Sequence, residues 1–190
     1  VCSSDLVYDR TTAAMLGTAA AALSGVISGD SVTLSTGSAV GAFGDRSVGT
    51  GKSVTASGFA IGGGDAGNYT LSQPTGLSAS ITAKSLSTTG VTASDKVYDG
   101  GTAAALNIGG ASLSGVIAGD TVTLSSSGYS ASFAHKDVGT GKIVTVSNLT
   151  LSGADAGNYS MAAPAGLLAA ITRASLTVTA DNKNMVSGRS

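Results

Sequence analysis

The chain has 190 residues, with ten Lys plus Arg against eleven acidic residues, a net charge of −1 and a mean hydropathy of +0.31. Every acidic residue is Asp, Glu and Trp are absent, and Ser plus Thr exceed a quarter of the chain. A chain without Glu and poor in Lys and Arg lacks the residues that fill exposed helix faces, so the composition predicts an all-β fold. Disorder is excluded because 42% of residues are apolar and the charge is near zero. Balanced charge excludes a basic nucleic-acid footprint, and no run of about eighteen apolar residues predicts membrane insertion.

In chain order, Val1-Cys2-Ser3-Ser4-Asp5-Leu6 resembles the translation of a sequencing adapter, so residues 1–6 are expected not to be native. Cys2 is the single Cys, which excludes an intrachain disulfide. From Val7-Tyr8-Asp9 onward the chain repeats at an offset of 90 residues, returning as Val97-Tyr98-Asp99. Leu23-Ser24-Gly25-Val26-Ile27 recurs from Leu113, Val48-Gly49-Thr50-Gly51-Lys52 from Val138, and Asp65-Ala66-Gly67-Asn68-Tyr69 from Asp155. About half of the aligned positions are identical, without a gap.

That period is too long for a solenoid and long enough for each copy to enclose its own core. The expected architecture is two tandem small immunoglobulin-like β-sandwich repeats of about 85–90 residues each, at 7–90 and 97–180. Residues 91–96, without Pro or Gly, are expected to be a nearly extended link, and 181–190 the start of a further repeat. Alternating β-branched patterns predict strands at 31–35, 77–82, 142–151 and 175–180. Gly29-Asp30, Gly49-Thr50-Gly51 and Asp65-Ala66-Gly67-Asn68 carry turn chemistry, and the paired Pro74 and Pro164 suit a loop or strand edge. Tyr8 and Tyr98 are expected to be core rings with a hydrogen-bonded tip.

Several strings imitate functional motifs, and the repeat checks each. Gly49-Thr50-Gly51-Lys52-Ser53 ends like a phosphate loop, but Arg46 stands where the first Gly is needed and Ser53 becomes Ile143, leaving a hairpin turn. Gly62-Gly63-Gly64-Asp65 resembles a calcium nonapeptide, yet occurs once and becomes Ser152-Gly153-Ala154-Asp155. The sequons at Asn68, Asn148 and Asn158 are read as ordinary strand and turn residues. His135 is the only His and its partner is Asp45, so a general base is not expected. No catalytic residue and no cofactor are assigned. No metal site is assigned either; the residues that could hold Ca²⁺ are Asp30, Asp65 and Asn68, with Asp120, Asp155 and Asn158 in the second copy.

Lys96-Val97-Tyr98-Asp99-Gly100-Gly101-Thr102-Ala103, with Gly115-Val116 through Gly119-Asp120, Val138-Gly139-Thr140-Gly141-Lys142 and Asp155-Ala156-Gly157-Asn158-Tyr159, resembles the bacterial YDG domain. The first copy departs from the pattern at Arg10, where the Gly would stand; if Gly100 has positive φ, Arg10 bears strain or takes another turn. The resemblance implies large secreted proteins similar to filamentous haemagglutinins of the two-partner secretion type. It places the chain outside a Gram-negative cell or on its surface, as a non-enzymatic stalk of an adhesin. Its expected partners are neighbouring repeats, with any host-cell or matrix glycan or protein met by other parts of the full chain. The alternative is a ligand-binding module for glycan or Ca²⁺ built on the recurrent Asp residues with Tyr69 and Tyr159.

Overall fold

The computed structural model describes residues 2–125 and 127–180. The further repeat expected at 181–190 lies outside the described residues, as does residue 1. Among the described residues there is no α-helix, only strands and two short 3₁₀ turns at Ala66–Asn68 and Ala156–Asn158. The all-β expectation holds, and the strands form small sheets layered in sandwich fashion.

The larger sheet of the first repeat runs Leu6–Val7, Leu77–Thr82, Gly49–Ser57, Val40–Phe43, Ala13–Ala14. Its counterpart in the second repeat runs Lys96–Val97, Leu167–Thr172, Gly139–Ser147, Ser130–Phe133, with an isolated bridge from Ala103 to Ser132 in place of the fifth strand. All pairs in these sheets are antiparallel except the first, where Leu6–Val7 and Lys96–Val97 lie parallel to their neighbours. Alternation sets which side is buried: Val54 and Ala56 point inward while Ser53 and Thr55 face solvent, and Val144 and Val146 repeat the pattern. Tyr8, Phe43, Val54 and Ile81 form the core of the first repeat, and Phe133, Val144 and Ile171 that of the second. Each such large apolar side chain contributes about 1.5–3 kcal/mol when buried.

Several expectations change. Gly49-Thr50-Gly51 is not a hairpin turn but the start of a nine-residue strand, where the register shifts between Gly49 and Lys52. Gly51 supplies the positive φ of that bulge at 58°, as Gly141 does at 59° in the second repeat. Residues 91–96 are not a link. Val91 is buried, Thr92–Ala93 pairs with Leu106–Asn107, and Lys96–Val97 pairs with Leu167–Thr172. In the first repeat residues 2–6 occupy the places of 92–96: Cys2–Ser3 pairs with Leu16–Gly17, and Leu6–Val7 with Leu77–Thr82. Asp5 Oδ1 accepts the Ser80 N–H at 2.7 Å, as its partner Asp95 accepts that of Ala170 at 2.6 Å.

The boundary between repeats also moves. Lys84–Thr89, the last strand of the first repeat by sequence, lies in a three-stranded sheet with two strands of the second. It runs antiparallel to Ser112–Ser114 and parallel to Tyr159–Met161. Leu86 at its centre is 3% exposed and belongs to one apolar cluster that takes Ile81 and Tyr8 from the first repeat and Tyr159, Leu113 and Ile117 from the second. Residues 175–180, expected to be a strand, form none; Leu176, the repeat partner of Leu86, is 95% exposed.

Candidate functional site

The strand Lys84–Thr89 carries the first repeat directly into the sheet of the second, and the side chains around it converge on Asp120. Asp120 follows Gly119, whose φ of 89° closes the turn Ile117-Ala118-Gly119-Asp120. The Asp120 N–H donates to the Ile117 carbonyl at 3.0 Å, which aims the carboxylate at the first repeat. Its side chain is fully covered. Tyr159, leaving the 3₁₀ turn, donates its hydroxyl to Asp120 Oδ2 at 2.6 Å, and Tyr8 from the first repeat donates to the same oxygen at 2.9 Å. The two rings meet edge to face with centroids 5.4 Å apart. The Tyr159 hydroxyl also accepts the Ile117 N–H at 3.0 Å, locking the turn from its own side.

Arg10 completes the cluster. Its Nε lies 2.8 Å from Asp120 Oδ1, and both atoms are shielded from water with no other partner among the described residues. Its two terminal nitrogens donate to the carbonyls of Ala118 at 2.7 Å and Gly119 at 3.1 Å. A Cβ on Gly119 would run into this guanidinium, so the turn needs glycine for space as well as for φ. Arg10 itself takes φ 74°, close to the 80° of Gly100. It thus adopts the glycine turn and bears the left-handed strain, about 1 kcal/mol or more, which its three contacts across the junction offset. Beside it, the Val48 N–H donates to Asn158 Oδ1 at 3.0 Å.

Burial opposes ionisation of Asp120, but the Tyr159 and Tyr8 hydroxyls and the positive Arg10 outweigh it and hold the carboxyl below its ordinary range. Tyr159 is pushed up to about 12, first by burial and then by its bond to the ionised Asp120. Tyr8 is raised for the same two reasons in the same order.

The six residues considered for Ca²⁺ are instead engaged in turns and in this junction. Asp30 accepts the Tyr69 hydroxyl at 2.6 Å, and Asp65 accepts the Ser31 N–H at 2.8 Å. Asp155 accepts the Thr121 N–H at 2.9 Å, while Asp120 and Asn158 serve the junction. Among the described residues no three His, Cys or Asp side chains gather as metal ligands. Asp65 and Asp155 do not cap the 3₁₀ turns they precede; each reaches across to the backbone N–H of the residue that follows a Gly-Asp turn, Ser31 or Thr121. Asp9 caps its own turn through the Thr11 N–H at 2.8 Å, and His135 is exposed on a loop.

Tyr8 is a buried ring, 1% exposed, but its hydroxyl finds its partner 112 residues away in the other repeat. Tyr98 differs, at 37% exposed. Composition and periodicity do not reveal Arg10, Val48 and Leu86 as junction residues. The one signal was Arg10 itself, a long cation at a position where its copy has glycine.

The model of the YDG domain family matches residues 2–76 and again 82–166. The matches end at equivalent positions of the repeat, but the second alone includes residues 82–91 and with them the crossing strand. No curated protein and no solved structure matches the chain.

Proposed function

Because the chain belongs to the YDG domain family and carries two such domains in tandem, we propose that it is a non-enzymatic spacer within a large secreted adhesin on the surface of a Gram-negative bacterium. The repeats extend the chain and present a binding region elsewhere in it to host-cell or matrix glycan or protein. The observation that supports this reading is the junction: a covered Asp120 bound by two tyrosines and an arginine, over an apolar cluster shared by both repeats. A chain that fixes one domain against the next resists bending, which a spacer needs and an independent binding module does not.

The test is a swap in the full-length protein on its native surface. Residues 2–173 are replaced by two rigidly joined β domains of unrelated sequence and equal length. Surface exposure and adhesion are expected to persist, because a spacer is defined by length and stiffness. Loss of adhesion with surface exposure retained would sink the reading and assign the binding to these repeats.

A further inference from the structure

The two Tyr-Asp loops carry one cation each and turn it to opposite sides. In the second repeat it is Lys96, three residues before Asp99, and it closes the loop on its own repeat. Its Nζ lies 2.8 Å from Asp99 Oδ1, donates to the carbonyls of Gly101 and Ala103 at 3.0 Å each, and sits 6.0 Å from the centre of the Phe133 ring. The residue after Asp99 is Gly100, which has no side chain to extend. In the first repeat Leu6 takes the place of Lys96 and packs against the shared apolar cluster. The cation there is Arg10, in the place of Gly100, and it reaches out to the turn of the next repeat at Ala118, Gly119 and Asp120.

Along the chain the repeats meet at Ala83, the one residue between Leu77–Thr82 in the sheet of the first and Lys84–Thr89 in the sheet of the second. The cluster of Tyr8, Ile81, Leu86 and Tyr159 holds them together, but apolar burial is non-directional and sets closeness rather than angle. Angle is set by directed contacts. Among the described residues five polar contacts cross the joint: Tyr8 to Asp120, Val48 to Asn158, and three from Arg10. Arg10 also decides the cost of closing. The covered Asp120 carboxylate has given up its water, and the adjacent guanidinium compensates that charge, whereas Arg46 acts on it through charge alone. Without Arg10 the closed joint buries an unpaired anion, and an open joint that lets water reach Asp120 competes with it.

We propose that the residue after Tyr-Asp sets the stiffness of the joint between one repeat and the next. Arginine there clamps the joint at one angle through the covered Asp120. Glycine, the form that the second repeat carries with its cation turned inward, has no clamp to offer and leaves a joint that pivots about the single residue linking the two strands. Stiffness is thereby written in a loop, not in the length of a linker. This deepens the spacer reading by naming the residue that controls bending, and rests on that reading only for the claim that stiffness is put to use.

The test is double electron–electron resonance on the whole chain, in a Cys2→Ser background with spin labels at Thr55→Cys and Thr145→Cys, exposed repeat partners on the two long strands. With Arg10 in place the distance between labels is expected to be single and narrow. Arg10→Gly is expected to widen its distribution about twofold or more. Adding Asp120→Asn removes the charge that opens the joint and is expected to bring the narrow distance back. A distribution as narrow in Arg10→Gly as in the parent chain overturns the proposal, as does one that Asp120→Asn leaves wide. The Arg10→Gly arm decides by itself, since glycine is the residue with which the second repeat folds at this place. The spacer reading fails separately, through the adhesion swap, whatever the distances show.

Discussion

Arg10 and Asp120 carry the residue-scale argument. Replacing Asp120 with Ala leaves Tyr8, Tyr159 and Arg10 without their common acceptor, a loss on the order of 2 kcal/mol or more in chemical denaturation. Arg10→Ala keeps the strained φ of 74° and forfeits the contacts, whereas Arg10→Gly forfeits the contacts and relaxes the backbone. Arg10→Gly is therefore expected to be more stable than Arg10→Ala by about 1 kcal/mol, and equal denaturant midpoints for the two would show that the turn stores no strain. The pH dependence has two limbs. Asp120 is depressed, so its contribution is complete above the ordinary carboxylate range and lost as pH falls through its lowered folded value. Tyr159 is raised, so its contribution holds below the ordinary tyrosine range and is lost as pH climbs through about 12. Asp120→Asn should flatten the acid limb of a plot of urea midpoint against pH, and Tyr159→Phe should remove the last tyrosine to ionise in an alkaline absorbance titration. The turn role of the recurrent Asp residues was legible, because Gly-Asp and Asp-Ala-Gly-Asn are local chemistry. That Asp120 also joins the repeats was not, since its partners Tyr8 and Arg10 lie more than 100 residues away.

At the scale of elements, the decisive piece is Lys84–Thr89. The alternation of residues 175–180 predicts a strand there, but period two says only that one face is buried and not by which neighbour. The same pattern therefore became a paired strand once and an unpaired segment once. The link expected at 91–96 misplaced the boundary for a related reason. Absence of Pro and Gly describes stiffness, while membership of a unit is decided by hydrogen-bond partners, and these lie in the second repeat. Leu86→Ala is expected to cost about 2–5 kcal/mol, as large-to-small changes in buried sites do. Its repeat partner change, Leu176→Ala, should leave the denaturation midpoint of the dilute chain unchanged. A similar loss from both would mean that residues 174–179 are already packed in the single chain.

For the whole molecule, the folding unit is displaced from the sequence repeat by the length of one strand. A fragment spanning 84–173 contains the crossing strand and is expected to fold with a cooperative melt. A fragment spanning 97–180 lacks it, exposes Leu113 and Met161 and should melt far lower or not fold, although it is the better match to the repeat as read from Val97-Tyr98-Asp99. Circular dichroism of the two fragments decides this, and equal melting would return the boundary to the sequence repeat. All-β class, duplication and family resemblance were legible because they rest on composition and on identity at fixed spacing. The junction was not, because it depends on which of two similar surfaces meets the other.

The crossing strand also bears on how such a chain can change length between generations. Since the first repeat gives a strand that the second takes, and the sequence around it recurs at 90 residues, a recombination event that inserts or deletes 90 residues at such a junction is expected to leave the groove with a donor of the same pattern. Copy number can drift without any new interface having to arise, wherever within the repeat the exchange occurs.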